Sequence, residues 1–341
     1  MKTNLLQVTS NGLHCPQGGF FIDPARPVER ALLTHAHADH ARPGSRHTLS
    51  ADPGRQLIEM RLGQESEHEF LPYGEARTVG GVRVSFHPAG HMLGSAQIRL
   101  EHRGQVAVVT GDYKLQSDPT CDDWEPVRCN HLVTESTFGL PIYRWPSPDQ
   151  VFAEINSWWR QSAAAGKCCL LFGYAVGKAQ RLLSGLDRSI GPIFTHGAVE
   201  NGNAAYRRSG VSLPATTAVA EMPKRHDWRG SLVVAVPSAY GTSWMRRFGV
   251  TSTAMASGWM AVRGTRRRRA VDRGFVLSDH VDWNDLLSAV KQSAAEKVWV
   301  GHGQTAAVAR YLTEAGCDAT AMTLEQPGTE EDEAASHETE T

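Results

Sequence analysis

The 341-residue chain has the composition of an ordinary globular protein, with 41% hydrophobic residues, 21% charged residues and a formal net charge of −1. This length accommodates two domains or one domain with a large insertion. The near-zero charge excludes a chain that is basic throughout, so any nucleic-acid surface has to be local. No apolar run approaches the length of a membrane span, and the first 13 residues lack the apolar core of a signal peptide.

The six cysteines predict a reducing, cytoplasmic environment. They form no C-x-x-C pair, and two of them, Cys168 and Cys169, are adjacent. This spacing favours buried free thiols over a disulfide framework or a zinc knuckle.

The first chemically distinctive segment is R-A-L-L-T-H-A-H-A-D-H at residues 30–40. Its apolar beginning predicts a short buried strand, which is followed by the potential metal ligands His35, His37, Asp39 and His40. An irregular turn could aim the first two at one ion and the last two at a second. Mixed imidazole and carboxylate ligands suit zinc or a neighbouring first-row metal. The alternative, a solvated loop that happens to be rich in histidine, is disfavoured by the specific H-x-H-x-D-H spacing.

Two further segments are predicted to reach the same region. A short strand at residues 19–22 would deliver Asp23 beside the histidine cluster. Residues 82–86 alternate like a strand and lead into H-P-A-G-H-M-L-G-S-A, where His91 lies in a glycine-flanked turn that lets the backbone approach a metal. His87 is the rival ligand, but it precedes a proline at the strand end and ranks second.

Six predicted strands carry a histidine or a carboxylate close to their last apolar residue. These residues are His35, His91, Asp112, Glu135, His280 and His302. In layered α/β folds this edge of the sheet is where ligands and catalytic groups collect, so we expect the six side chains to converge. Coincidence would explain one or two of them. The alternative for the last two, satisfied core histidines, is disfavoured by their positions at strand ends.

Residues 147–262 interrupt this series and contain strands and helices of their own, which predicts an inserted α/β domain. Helices are predicted at residues 50–63, after the N-caps Ser147 and Asp282, and from Thr305 to a stop at Gly316. The Trp and Phe stripes of the helices are interpreted as core rather than as base-stacking platforms. Beyond residue 324 the chain is acidic without apolar periodicity, which predicts disorder.

Two basic features predict contacts with phosphate. The segment G-Y-A-V-G-K-A faintly resembles a phosphate loop, but it is one residue short and lacks the Ser or Thr that would hold magnesium, so a nucleoside triphosphate site is rejected. Lys178 and Arg181, at the start of a helix, remain candidates for contacting a phosphodiester. The second feature is a run of arginines, for which contact with a phosphate backbone and a solvated surface are about equally favoured alternatives. Its members are Arg266, Arg267, Arg268 and Arg269.

The motifs together resemble those of the metallo-β-lactamase/β-CASP nucleases. T-H-A-H-A-D-H, P-A-G-H-M-L-G-S and T-G-D are similar to the second, third and fourth metallo-β-lactamase signatures, with Asp23 standing for the first. V-T-E-S-T-F-G, L-S-D-H and V-G-H-G are similar to β-CASP motifs A, B and C. Apart from its acidic tail, the chain most resembles the bacterial ligase-associated DNA-damage-response exonucleases.

The resemblance implies an α/β fold, namely a metallo-β-lactamase αββα sandwich with an inserted β-CASP α/β domain. The first part of the core is expected at residues 1–146, the inserted domain at 147–262, and the completing part of the core at 263–324. Residues 325–341 would form the acidic disordered tail.

The resemblance also implies two divalent metal ions, zinc or alternatively manganese. The ligands would be His35, His37 and His91 for one ion, Asp39, His40 and His302 for the other, and Asp112 as a bridge. Asp23 would lie behind these ligands and orient the histidine cluster.

The implied chemistry is hydrolysis of a phosphodiester. Two ions about 3.5–4 Å apart lower the pKa of a water between them and clamp the phosphate oxygens for in-line attack. Departure of the alkoxide then needs a nearby acid. His280, paired with Glu135, would protonate or stabilise the leaving oxygen, and Asp39 would complete the catalytic group.

Several functions are compatible with these residues. The first is a DNA exonuclease in repair, with an ATP-dependent DNA ligase and a helicase as partners that the resemblance alone implies. The second is a β-CASP ribonuclease, because a histidine at motif C, here His302, is typical of the RNA-processing branch. A small-molecule hydrolase is disfavoured by the inserted domain and by the pair of Glu135 and His280. A catalytically dead scaffold is disfavoured because every ligand is present.

Overall fold

In the computed structural model the chain forms two compact units. The structure describes residues 4–63, 66–262, 264 and 271–322. Unit 1 comprises Met1–Tyr143 and His280–Thr341, and unit 2 comprises Arg144–Asp279. The second unit continues past residue 262, where the inserted segment was expected to end. The reason is that a strand beyond that point, Arg273–Phe275, pairs with the sheet of unit 2.

The first sheet of unit 1 has six strands in sequential order. They are β1 (Gln7–Thr9), β2 (Gly12–Cys15), β3 (Phe20–Ile22), β4 (Arg30–Leu32), β5 (His47–Ala51) and β6 (Glu67–Leu71). The pairings from β3 to β6 are parallel. The carboxyl ends of β3 and β4 therefore lie side by side, and the N–H of Asp23 donates to the carbonyl of Leu32 at 3.0 Å. This pairing brings Asp23 next to the histidine-rich segment.

The second sheet of unit 1 has seven strands in the order β19-β18-β11-β10-β9-β8-β7. They are β7 (Ala76–Val79), β8 (Val82–Pro88), β9 (Ala96–His102), β10 (Gln105–Val109), β11 (His131–Ser136), β18 (Lys297–Gly303) and β19 (Asp318–Ala321). β10, β11 and β18 run parallel, and β8 shares their direction because β9 is antiparallel to both β8 and β10. The four carboxyl ends thus meet at one edge.

The two sheets of unit 1 pack face to face. Their inward side chains form one apolar cluster, to which the first sheet contributes residues such as Phe20 and the second residues such as Ile98. Burial of each such side chain stabilises the fold by about 1.5–3 kcal/mol. A second cluster lies on the other face of the second sheet, beneath helices α5 (Trp283–Ser293) and α6 (Thr305–Glu314). These layers hold the ligand-bearing edge in place.

Helix α1 (Arg55–Leu62) starts later than the expected range of 50–63. The first two residues of that range belong to β5, and a 3-10 turn at Asp52–Gly54 then leads into the helix. Pro53 suits this position because a first turn does not need its missing N–H.

The predicted helix caps are confirmed. The hydroxyl of Ser147 accepts a hydrogen bond from the N–H of Gln150 at 3.3 Å, and Asp282 accepts one from the N–H of Asp285 at 2.9 Å. Helix α6 begins at Thr305 and ends just before Gly316, whose φ of +92° is readily available to glycine.

Unit 2 is built on a six-stranded sheet in which every pairing is parallel. Its strands, in the spatial order β14-β13-β15-β12-β16-β17, are β12 (Cys168–Phe172), β13 (Ile193–Thr195), β14 (Thr217–Ala218), β15 (Leu232–Ala235), β16 (Thr251–Ala256) and β17 (Arg273–Phe275). The strands of such a sheet are buried on both faces, which explains their nearly continuous apolar sequence. Unit 2 therefore has an α/β fold of its own.

The two faces of this sheet are covered differently. One face packs against helices α2 (Pro148–Ala164), α3 (Lys178–Ser184) and α4 (Gly197–Arg208). Among the described residues, the apolar cluster on the other face contains side chains from the strands, from loops and from short 3-10 helices such as Ser243–Phe248, and none from these three helices.

No helix in the described ranges has the length and apolar character that crossing a membrane requires. The six cysteines, all within the described residues, form no disulfide bond.

Candidate metal centre and catalytic pair

The histidine-rich segment leaves the first sheet as a tight turn. Leu33 still bonds to the sheet, its N–H donating to the carbonyl of Leu49 at 2.9 Å. The carbonyl of His37 then accepts from the N–H groups of His40 and Ala41, at 3.2 and 2.8 Å. Because the chain folds back here, side chains that a straight strand would send to opposite faces can converge.

Four predicted ligands form a compact group. His35, His37, His91 and Asp112 each offer a ligand atom, and these atoms all lie within 4.8 Å of one another. Nε2 of His91 is 3.1 Å from Nδ1 of His37, and Oδ2 of Asp112 is 3.6 Å from Nε2 of His35. The structure thus brings together the complete set expected for one ion.

The chemistry of this group fits a divalent metal. Three of its buried atoms, Nε2 of His35, Nε2 of His40 and Oδ1 of Asp112, have no hydrogen-bond partner among the described residues. Buried polar atoms are almost always satisfied, because leaving one without a partner is costly. Coordination of a metal by imidazole nitrogens and a carboxylate would satisfy these atoms.

The second expected ligand set is arranged around His40. Its Nε2 lies 3.5 Å from Oδ2 of Asp39 and 3.4 Å from Oδ2 of Asp112. Its ring stacks on that of His302 with the ring centroids 5.7 Å apart. Since the same carboxylate oxygen of Asp112 faces both sets, Asp112 occupies the position that a bridging ligand needs.

A β-bulge places His302. Between the pairs Thr134–Val300 and Ser136–Gly303, β11 advances by two residues and β18 by three, so β18 contains one extra residue. His302 lies at this irregularity with φ of +51°, in the left-handed region that non-glycine residues rarely adopt. A Cβ on Gly303 would lie 2.5 Å from the carbonyl oxygen of Ser136, so only glycine fits there. The sequence predicted the residue but not this backbone strain.

Asp23 and Thr34 support His40 from behind. Oδ2 of Asp23 lies 2.7 Å from Nδ1 of His40, and its carboxylate also accepts from the N–H and hydroxyl of Thr34, at 2.8 and 2.5 Å. This contact orients the ring so that Nε2 points toward Asp112. Sequence reasoning missed Thr34, which also contacts Nδ1 of His35 at 3.0 Å. Its position directly before the first histidine was the available signal.

The electrostatics of the cluster favour metal binding. Burial lowers the pKa of His35 well below its usual value, and the neighbouring histidines lower it further, so this ring is in the neutral form that binds metals. Burial alone would lower the pKa of His40, but Asp112, Asp39 and Asp23 outweigh it and raise that pKa well above the usual range. Burial would raise the pKa of Asp112, whereas His40 and His280 hold it well below the usual range. A cation fits the site, because its carboxylates already favour positive charge.

Glu135 and His280 form a buried pair beside this cluster. Nδ1 of His280 lies 2.9 Å from Oε2 and 3.1 Å from Oε1 of Glu135. The carboxylate also accepts from the hydroxyl of Thr137 at 2.6 Å and from the N–H of Tyr113 at 2.9 Å. With both oxygens engaged, Glu135 is held in place and in turn orients the imidazole. Asp112, Glu135 and His280 also satisfy the distances of a metal-binding group, which is the alternative role for the pair.

The structure separates His91 from its rival. His87 lies with Nδ1 2.5 Å from Oε1 of Glu125 and Nε2 3.0 Å from the hydroxyl of Ser85, and it does not belong to the four-residue ligand group.

Two predicted phosphate contacts need correction. The side chains of Lys178 and Arg181 are 0% and 1% exposed, and both form ion pairs with Asp279 inside unit 2, at 2.9 and 3.0 Å. Lysine and arginine that are buried in this way are paired structural groups, so neither reaches an external phosphate in this conformation. The arginines at residues 266–269 lie outside the described residues, as does the acidic tail.

Comparison with known proteins finds relatives that are named as a DNA ligase or as nucleases. A protein of Opitutus terrae named "Probable DNA ligase" is 32% identical over 319 residues, or 92% of this chain. "Endoribonuclease ysh-1" of Neurospora crassa is 32% identical over 172 residues, or 46% of this chain. An "RNase J-like protein" of Methanocaldococcus jannaschii is 24% identical over 217 residues, or 53% of this chain. The chain belongs to the metallo-β-lactamase/β-CASP family. No family model matches it.

As a metallo-β-lactamase/β-CASP protein, the chain spans only part of these relatives. It covers 30% of the Opitutus protein, 20% of the Neurospora protein and 50% of the Methanocaldococcus protein. Among solved structures, "Crystal Structure of a Protein of Unknown Function from Enterococcus faecalis V583" matches with a TM-score of 0.59 and 11% identity, over 87% of this chain and 79% of that one. At this identity the similarity concerns the fold alone.

Proposed function

We propose that the protein is a metal-dependent DNA exonuclease that hydrolyses phosphodiester bonds in DNA repair. The observation that carries the proposal is the position of Asp112. Its Oδ2 lies 3.4–3.9 Å from the nearest ring nitrogens of His35, His40, His91 and His280. A single carboxylate thus joins both ligand sets to the buried acid–base pair. In this proposal unit 1 is the αββα sandwich and unit 2 the β-CASP domain.

The residues present would hold two metal ions. The proposed ligands are His35, His37 and His91 for one ion, Asp39, His40 and His302 for the other, and Asp112 for both. When bound, two such ions supply the positive charge that activates water and stabilises the phosphoryl transition state. Zinc is proposed first because of the imidazole-rich set, and manganese is the alternative.

His280 is proposed as the acid that serves the leaving oxygen. If Nδ1 donates to Glu135, the opposite ring nitrogen, Nε2, is the one that exchanges a proton with the substrate. Thr137 and Tyr113 fix Glu135, so the imidazole is held in one orientation and need not be ordered during the reaction. General acid catalysis of this kind contributes about 10²–10⁴-fold.

The choice of DNA rests on sequence similarity across most of the chain. The Opitutus relative, which aligns with 92% of the chain, is named a probable DNA ligase. We propose accordingly that the protein acts in the cytoplasm on single-stranded or end-containing DNA, in a pathway with an ATP-dependent DNA ligase and a helicase.

RNA is the second candidate substrate, and two observations favour it. His302 occupies the motif C position and stacks on His40 in the site. Relatives that cover about half of the chain are named an endoribonuclease and an RNase J-like protein.

Cleavage by the purified protein tests the proposal. Matched single-stranded DNA and RNA, each labelled at either end, are incubated with zinc or manganese, and Asp112→Ala serves as the inactive control. Stepwise shortening of DNA from one end, absent in the variant, is the expected result. If the protein cleaves RNA and not DNA, the substrate is RNA and the ribonuclease proposal replaces the DNA exonuclease. If it cleaves neither polymer, the nuclease proposal is contradicted.

A further inference from the structure

We propose that the face of the unit 2 sheet opposite helices α2, α3 and α4 binds single-stranded nucleic acid through exposed cations and a half-buried aromatic row. This inference rests on the proposed nuclease function, because it assigns a second contact surface for the same class of substrate. The surface consists of two segments, residues 221–229 and 243–248, which cover the cluster that contains Trp228 and Phe248. All of its residues belong to one unit.

An aromatic row joins the two segments. Ring centroids are 5.2 Å apart for His196 and Trp244, 4.7 Å for Trp244 and Phe248, and 4.9 Å for Phe248 and Trp228. Trp228 in turn lies 4.5 Å from His226. The inner rings, Phe248 and Trp228, are buried, whereas the rings at both ends of the row remain partly exposed. The row thus consists of partly exposed aromatic side chains packed on buried rings.

Four exposed cations accompany this row. Lys224 and Arg225 directly precede His226, and Arg246 and Arg247 follow Trp244 within the 3-10 helix Ser243–Phe248. Among the described residues, none of these four cations forms an ion pair. Within the two segments Arg229 and Asp227 neutralise each other at 2.6 Å, which leaves Glu221 as the remaining acidic group. The surface is therefore locally basic in a chain whose net charge is −1.

The combination identifies the ligand as a single-stranded polyanion with flat bases. Unpaired lysines and arginines attract phosphates and release their counterions. A partly exposed tryptophan beside them can stack on a base, and only unpaired bases expose their faces.

Direct binding to oligonucleotides that resist hydrolysis tests the surface separately from catalysis. Phosphorothioate dT20 and rU20 keep the backbone charge, and their affinities for the intact metal-loaded protein are measured by fluorescence anisotropy over a range of salt concentrations. The variants are R246Q/R247Q, W244L and a control, R128Q/R188Q, which removes two exposed cations elsewhere. The double variant R246Q/R247Q changes only exposed side chains, so its folding is not at risk.

We expect R246Q/R247Q to weaken binding about tenfold or more and to reduce the salt slope by about 1.4, since each phosphate contact to a single strand contributes roughly 0.7. We expect W244L to weaken binding about tenfold without changing the slope, because stacking carries no charge. The relative affinities for dT20 and rU20 then identify DNA or RNA as the source of the phosphates.

An unchanged salt slope in R246Q/R247Q, or an equal loss in the control, would overturn the inference. The single-strand assignment would be overturned if R246Q/R247Q lost as much affinity for heparin as for the oligonucleotides and W244L had no effect. The surface would then be a general polyanion-binding surface. The proposed function fails separately: a wild-type protein that binds both oligonucleotides but cleaves neither natural polymer would contradict the nuclease and leave the surface intact.

Discussion

Each unit of the protein buries a cluster of ionisable side chains, and the two clusters differ in how they are satisfied. In unit 1, His35, His40 and Asp112 are 2–3% exposed and retain polar atoms without a hydrogen-bond partner among the described residues. In unit 2, the carboxylate of Asp279 lies 2.9 Å from Nζ of Lys178 and 3.0 Å from Nη1 of Arg181. Burial is similar, but within the described residues only the second cluster has no side-chain nitrogen or oxygen left without a partner.

The remaining donors of the unit 2 cluster are directed at backbone. Nζ of Lys178 donates to the carbonyl of Leu277 at 2.9 Å, and Arg181 donates to that of Ser278 at 2.5 Å. A buried ion pair whose other hydrogen bonds are also made is a structural element, with no need of a ligand. Burial of charge by itself therefore does not identify a functional site; in unit 1 the added observation is that several potential metal-ligand atoms without a partner lie close together.

The largest expected effect comes from removing the shared carboxylate of unit 1. Asp112→Asn keeps the size of the side chain but removes its charge, so we expect the protein to lose metal. The rate of cleavage should fall at least about 10³-fold, which is more than the loss of a single electrostatic contact would cause. Asp122→Asn, at an exposed position, is the control. Steady-state kinetics and metal content check the prediction, and a variant that retains more than a tenth of the activity would contradict it.

Removing the acid should separate chemistry from metal binding. His280→Ala is expected to lower kcat by about 10²–10⁴-fold while the metal content stays at the wild-type value. Glu135→Gln should act in the same direction, because it weakens the contact that orients the ring. Loss of metal in His280→Ala would instead show that this residue is a ligand, the alternative that the distances allow.

The unit 2 cluster should affect stability rather than chemistry. Asp279→Asn leaves two buried cations without their counter-charge, so we expect a decrease of about 3–5 kcal/mol in the free energy of unfolding. Asp227→Asn, which breaks an exposed pair with Arg229, should leave stability near wild type. Urea denaturation with and without added metal measures both. A gain in stability on adding metal that is larger for Asp279→Asn than for the wild type would show that the two clusters are coupled.

The smallest effect concerns a buried histidine of unit 1 that has no part in the site. Burial and the nearby Lys297 lower the pKa of His131 to about 4. The unfolded chain therefore binds a proton first, and the stability that neutral His131 provides is lost as the pH falls from about 6.5 toward 4. Between pH 7.5 and 5 the expected loss is about 2 kcal/mol. His131→Phe keeps an aromatic ring against Trp299, and its free energy of unfolding should lack this pH-dependent contribution. An unchanged pH dependence of stability in the variant would contradict the role assigned to His131.

The sequence predicted which side chains come together at this edge because their signal is local. H-x-H-x-D-H follows an apolar run, and carboxylates or histidines follow the later strands, so strand polarity alone indicates that they converge. The preference for His91 over His87 also came from local chemistry, since a proline directly follows His87. The metal assignment itself stays a prediction until ions are measured.

Other features depend on tertiary contacts that no local pattern contains. Lys178 and Arg181 have the sequence context of a phosphate contact, yet both find a carboxylate about a hundred residues away in the chain. The bulge that turns His302 likewise depends on the pairing of β18 with β11, which lies more than 160 residues earlier in the chain. Sequence spacing does not encode where a neighbouring strand supplies an extra residue or a buried counter-charge.

Metal content tests the central claim most directly. Wild-type protein, Asp112→Asn and Asp122→Asn are saturated with zinc or manganese, desalted and analysed by inductively coupled plasma mass spectrometry. We predict about two ions per chain for the wild type and Asp122→Asn, and fewer than one for Asp112→Asn, because one carboxylate serves both ligand sets. Equal metal content in Asp112→Asn and the wild type would contradict the account.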